Sequence, residues 1–151
     1  MSTPVESANL ILKLFELRRE PVMRQARAWF SGDFNPTTTE EFLAFVSGPN
    51  NAWFRMVVGY WDMAASLVQF KAIDQDMFNA TSGEMAVIYA KIEPFLNEYR
   101  AQRGEPNFLK RLEAQVQTMP NIAERLPKIR ERFRKIAAAR AKTAQAGASI
   151  N

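Results

Sequence analysis

Apolar positions crowd the stretch from Asn51 to Lys71 more densely than anywhere else in the chain. Trp53, Phe54, Met56, Val57, Val58, Tyr60, Trp61, Met63, Ala64, Ala65, Leu67, Val68 and Phe70 leave only a narrow seam of Arg55, Gly59, Asp62, Ser66 and Gln69. A surface helix shows one apolar stripe roughly 100° wide, so a helix apolar almost all round has to be surrounded by others. The pattern predicts a central helix of about 30 Å. Arg55, Asp62, Ser66 and Gln69 fall on one side of it, with Gly59 among them where a backbone or a solvent groove can approach. That side reads as the solvent slit between neighbouring helices, and alternatively as a functional polar groove. A membrane span is the wrong reading of the stretch, because Arg55, Asp62 and Lys71 interrupt it and a charge at mid-bilayer costs about 3 kcal/mol on insertion scales.

Helical periodicity continues on both sides. Thr3, Pro4 and Glu6 have the spacing of N-cap, N1 and N3, the arrangement of a capping box with proline where its missing N–H is harmless. Ala8, Ile11, Leu12, Phe15, Val22, Ala26 and Trp29 then form an apolar side. Pro21 clashes with the carbonyl of Leu17, so the pattern predicts two helices, 4–19 and 20–30. After the polar connection SGDFNPTTTEE comes a short helix, Thr39 to Val46, capped by Thr37 or Thr38, and SGPNN resets the chain with Asn50 capping the central helix.

Beyond Lys71, Asp74 caps a turn carrying Met77 and Phe78. Asp74 and Asp76 do not open a calcium loop, since Phe78, Asn79 and Met85 occupy its fifth, sixth and twelfth positions, where an oxygen ligand, Gly and Glu are required. TSGE at 81–84 reads as a second capping box. The helix from Ser82 to Arg103 turns Met85, Ile88, Tyr89, Ile92, Phe95, Leu96 and Tyr99 inward. It turns Glu84, Lys91, Glu98 and Gln102 outward, bends at Pro94 and stops at Gly104. Its short connection predicts antiparallel packing on the central helix. Asn107 caps a short helix ending at Val116, and a last helix from Ile122 to about Ala141 carries a stripe of Ile122, Leu126, Ile129, Phe133 and Ile136. No strand pattern and no internal repeat occurs. The fold expected is all-α, an irregular bundle of about five to seven helices around the central hydrophobic helix, in one domain over 1–142 with 143–151 a disordered tail.

Composition narrows the chemistry more than the fold. With no Cys and no His in 151 residues, disulfides, thiol catalysis, thiolate metal sites and the commonest general base are all missing. No Gly-rich phosphate loop occurs, and Glu16 and Glu20, the best paired carboxylates, sit among Lys13 and Arg24 as ordinary surface charge. The expectation is a non-enzyme with no cofactor and no metal. The N-terminus lacks a basic region before its apolar residues and so does not read as a signal peptide, leaving a cytoplasmic protein as the default.

Charge is distributed unevenly. Residues 1–126 carry 13 Lys/Arg and 15 Asp/Glu, whereas 127–151 carry 7 Lys/Arg and a single Glu. Lys128, Arg130, Arg132, Arg134 and Lys135 therefore form a candidate surface for nucleic acid or another anionic partner. The stripe on the same helix favours docking instead, with the charges solvated or meeting a partner protein. Trp29, Trp53, Trp61, Tyr60, Tyr89 and Tyr99 read first as core and alternatively as the lining of a small-ligand pocket. The favoured function is a protein–protein interaction or structural module acting through helices on a second copy of itself or on another protein, since so many large apolar side chains exceed what a small bundle hides.

The run NAWFRMVVGYWDMAASLVQFKAIDQDMF, followed by YAKIEPFLNEYRAQRG and PNFLKRLE, resembles the small helical bacterial family catalogued as domain of unknown function 4760. Trp53 with its aliphatic followers, Asp62, the Ile73-Asp74 turn and the Tyr89 to Arg100 helix with Pro94 carry the likeness, over residues 10–115. The resemblance implies an all-helical fold and no defined activity. It also implies an N-terminal membrane anchor in some members, and this sequence shows no such anchor.

Overall fold

The computed structural model describes residues 1–150, and among them the chain forms eight α-helices and no strand. They are α1 (Pro4–Arg18), α2 (Pro21–Gly32), α3 (Thr39–Ser47), α4 (Asn51–Gln69), α5 (Gln75–Thr81), α6 (Gly83–Arg103), α7 (Lys110–Val116) and α8 (Ile122–Ala148). The all-α class holds, with one helix more than the upper end of the expected range. The additional helix is α5, read from the sequence as a turn capped by Asp74; it and the expected α7, each of seven residues, lean on the larger helices rather than supporting themselves.

Local chemistry sets most boundaries. Thr3 and Glu6 close the capping box at the start of α1. Pro21 restarts the chain as N1 of α2, with the Glu20 carboxylate accepting from the N–H groups of Val22 and Met23. Thr38 and Asp74 cap α3 and α5 through their side chains. The second capping box is not made: Thr81 ends α5 with its hydroxyl turned back to the carbonyls of Met77 and Phe78. Ser82 is the N-cap of α6 without a side-chain bond. Asn107 does not cap α7 either, for that helix begins at Lys110 behind Leu109, which adopts left-handed φ. Gly104 stops α6 at φ 65°.

A single hydrophobic cluster threads all eight helices. Its densest part is aromatic: Trp29, Phe30, Phe34, Phe42 and Phe54 form a continuous chain of ring contacts that reaches Phe95 and Tyr99 on α6. Trp61, 2% exposed, anchors the middle of α4. The closest neighbours of α4 are α7 and α2, rather than the expected antiparallel α6, which packs chiefly against α8 and α7. It is also α6 that is most enclosed. Eleven of its 21 residues are buried, against seven of 19 in α4.

Three faces differ from their periodic reading, two of them where a polar side chain has found a partner inside. In α1, Ser7, Ile11 and Leu14 are buried, while Leu12 and Phe15 are exposed. The Ser7 hydroxyl accepts the Asp74 N–H and meets the Ser2 hydroxyl. In α6, Glu84 turns toward the body and accepts from both Arg18 and Arg27. Lys91, expected outside, is buried. In α8 the inward line is Ile122, Leu126, Ile129 and Phe133, but Ile136 is exposed. The helix continues past the expected end at Ala141 to Ala148, with its last two turns fully in solvent.

Candidate functional site

The polar seam of α4 is divided between structure and surface. Asp62 accepts the Leu112 N–H at 2.9 Å through Oδ1, and so pins the first turn of α7, where unpaired N–H groups and the helix dipole favour a carboxylate. Gln69 exchanges two bonds with Arg111, its amide donating to the Arg111 carbonyl and its oxygen accepting from the guanidinium. That guanidinium also covers Phe70, 5.0 Å from the ring centre. Ser66 donates to the Met63 carbonyl of its own helix. Arg55 is exposed and has no hydrogen bond or ion pair to any described residue. The four seam residues are therefore not one groove: Asp62 and Gln69 hold α7, whereas Arg55 and Ser66 flank open surface.

That open surface is the part of α4 the sequence places inside. Met56 is 37% exposed, Met63 40% and Phe70 72%, and with the exposed Ala52 and Gly59 they run down one side of the helix. A Cβ built on Gly59 would meet nothing within 4 Å. The neighbours of α4 stop short of this side: α7 borders it through Asp62 and Gln69, and on the opposite border the Tyr60 hydroxyl donates to the Leu14 carbonyl of α1.

The basic residues of α8 have separate fates. Arg130 donates to Glu93 at 2.6 Å and to the Ala90 carbonyl, fastening α8 to α6. Arg134 and Lys135 both approach Glu131 of their own helix, and Arg132 lies over the Phe133 ring at 5.2 Å. Lys128 and Arg132 are exposed with no ion pair among the described residues. The structure thus leaves Lys128, Arg132, Arg134 and Lys135 on the surface and takes Arg130 out of it.

Lys91 is the polar group that sequence periodicity missed. Its ammonium donates to the carbonyls of Phe30, Ser31 and Phe34 and to Asn35 Oδ1, at 2.8 to 3.2 Å, and the Phe133 ring of α8 closes over it at 4.2 Å. A cation placed on the last carbonyls of α2 is favoured by the helix dipole and by their lack of intrahelical partners. Burial pushes the amine down to about 8, Arg140 acts in the same direction and Asp33 against it. The only hint in the sequence was a lysine among residues that are otherwise packed. Beside this lysine, α6, α8 and the Asn35–Thr37 connection enclose an open pocket of about 460 Å³, lined largely by Pro36, Pro94, Phe95, Phe133 and alanines of α8. Of the expected aromatic lining set, none borders it. Trp29 borders a different hollow of about 350 Å³ at the start of α4, while Trp61, Tyr89 and Tyr99 are core.

Among the described residues no helix is long and apolar enough to cross a membrane, and no group of three or more acidic side chains comes together to hold a metal ion. In comparison with known proteins, a family model described as Domain of unknown function (DUF4760) matches residues 3–119. It takes in α1 to α7 and leaves α8 outside. No curated protein and no solved structure matches the chain.

Proposed function

The chain belongs to the family described as domain of unknown function 4760, and from that premise, which names no activity, we propose a non-enzymatic, cytoplasmic helical module that binds protein, in the first instance a second copy of itself. The observation that carries this reading is the apolar outer face of α4, with Met56, Met63 and Phe70 in solvent on the helix whose composition calls for cover. Methionine is a flexible, polarizable side chain that adapts to a partner surface, and contiguous exposed apolar surface is a mark of interaction sites. Closed two-fold dimers are the commonest way for one such surface to be hidden. Light scattering over a dilution series is the test. A mass near twice 17.2 kDa at the higher concentrations is the expected result, and a monomer throughout would remove self-association.

A second reading rests on α8. Lys128, Arg132, Arg134 and Lys135 stand on an exposed helix that extends beyond the body and beyond the family match. Binding of nucleic acid or an anionic surface through them should be visible at low salt and fall steeply as salt rises. Reversing Lys128 and Arg132 to Glu should abolish it. Absence of binding at low salt would dispose of this reading.

A further inference from the structure

We infer that two copies of the chain meet along α4 in antiparallel orientation about a two-fold axis, with Arg55 of each copy facing the partner's Asp62. This deepens the self-association proposed above and rests on it. The open side of α4 carries Ala52, Met56, Gly59 and Met63, continued by the half-buried Ser66 and by Phe70 at the C-cap, positions that advance by four and three residues in alternation. That is the spacing of a coiled-coil seam. Written as heptads, Met56, Met63 and Phe70 take the a positions, and Ala52, Gly59 and Ser66 the d positions.

Large and small residues thus alternate along the seam, and the alternation selects an orientation. In a parallel pair each layer matches like with like, so methionine would crowd methionine in one layer and glycine would face glycine across a void in the next. In an antiparallel pair a faces d, so a large side chain meets a small one within the overlap, and in the register chosen below Met56 and Met63 do so while Phe70 lies beyond the partner's α4. The open volume over Gly59 receives the partner's Met56, and Met63 lies against the partner's Ala52.

Charge selects the register. Arg55 and Asp62 are both g positions, and g faces g across an antiparallel pair. With Met56 opposite the partner's Gly59, Arg55 meets the partner's Asp62 twice, once on each side of the axis. One heptad further along, Asp62 would face the partner's Asp62, a like-charge contact. Both groups are free to pair: Arg55 has no partner among the described residues, and Asp62 gives only Oδ1 to Leu112.

The test uses R55E and D62R, each followed by light scattering and thermal melts. R55E sets like charges together twice and should weaken dimerisation at least roughly tenfold. An equimolar mixture of R55E and D62R restores both pairs in a heterodimer and should return a mass near twice 17.2 kDa. Because D62R also loses the bond to α7, cysteine crosslinking supplies a second readout at two exposed sites in a chain with no native Cys. A52C mixed with M63C should give a disulfide between the two variants, with neither crosslinking to itself. A dimer unmoved by R55E, or A52C crosslinking to itself, would overturn the inference while leaving self-association intact. A wild-type monomer at every concentration would overturn both.

Discussion

Single residues in this protein are placed by the partners they find, and Lys91 shows it most directly. Removing its ammonium in Lys91→Met leaves the carbonyls of Phe30, Ser31 and Phe34 without their donor, a loss on the order of 3 kcal/mol at neutral pH. Denaturant melts measure it. The amine also gives the protein an alkaline signature. Its folded value is about 8 against an ordinary 10.5, so between those values the unfolded chain holds a proton that the folded chain has released. Stability contributed by this group therefore rises with pH across that window as the cost of burying the charge is relieved. Tyr60 and Tyr89, pushed up to about 12 by burial, work in the opposite direction above pH 10. Lys91→Met should erase the rise and leave the later fall, read from melts at pH 7 to 11. On the acid side, burial pushes the Glu84 carboxyl up, but Arg27 and Arg18 outweigh it and hold the group below 4.5. Its stabilisation is present above the unfolded value and is lost as pH falls through the lower folded one. Glu84→Gln should cost on the order of 2 kcal/mol at pH 7, and its deficit relative to wild type should shrink in acid. Trp61, packed with its indole Nε1 unpaired beneath the Arg18 guanidinium, should cost about 3–5 kcal/mol when cut to Ala.

Elements behave as units whose faces are chosen by neighbours. In α4, Gly59 has open space and helical backbone, so Gly59→Ala should stabilise the isolated chain by up to about 1 kcal/mol through helix propensity. A thermal melt at a concentration where the chain is monomeric checks this, and a decrease in stability would mean that the glycine is needed within the fold. In α8 the burial is confined to the first turns. Ile122 and Leu126 are core, Ile129 and Phe133 are half-buried, and everything after Ala138 is exposed. Deleting 127–151 should therefore uncover Lys91, break the Arg130–Glu93 bridge and destabilise the bundle. Deleting only 143–151 should leave melting unchanged. The contrast between the two truncations separates docking from projection within one helix.

At the scale of the whole molecule, the sequence determined the class and most boundaries. Capping residues, prolines and Gly104 act through backbone chemistry within a few residues of themselves, so α1 to α3 and the start of α5 lie where local pattern puts them. The apolar side of α6 was legible for the same reason, since Met85 through Tyr99 recur at helical spacing and all seven expected residues are buried. What only tertiary structure decided is which helix is most enclosed and which side of each is open. Hydrophobic periodicity treats a lysine, a glutamate or a serine as solvent-facing, yet Lys91, Glu84 and Ser7 turn inward because carbonyls, guanidinium groups and an N–H from distant segments satisfy them there. By the same rule an apolar residue reads as buried, yet Met56, Met63 and Phe70 stand outside because α7 and α1 border α4 without covering that side. The candidate surface was accordingly half legible: Arg55 and Asp62 were visible as a spaced pair on one side of α4, but the apolar seam beside them was not. A one-dimensional pattern records which side chains prefer to leave water, whereas the packing of eight helices determines how many of them can.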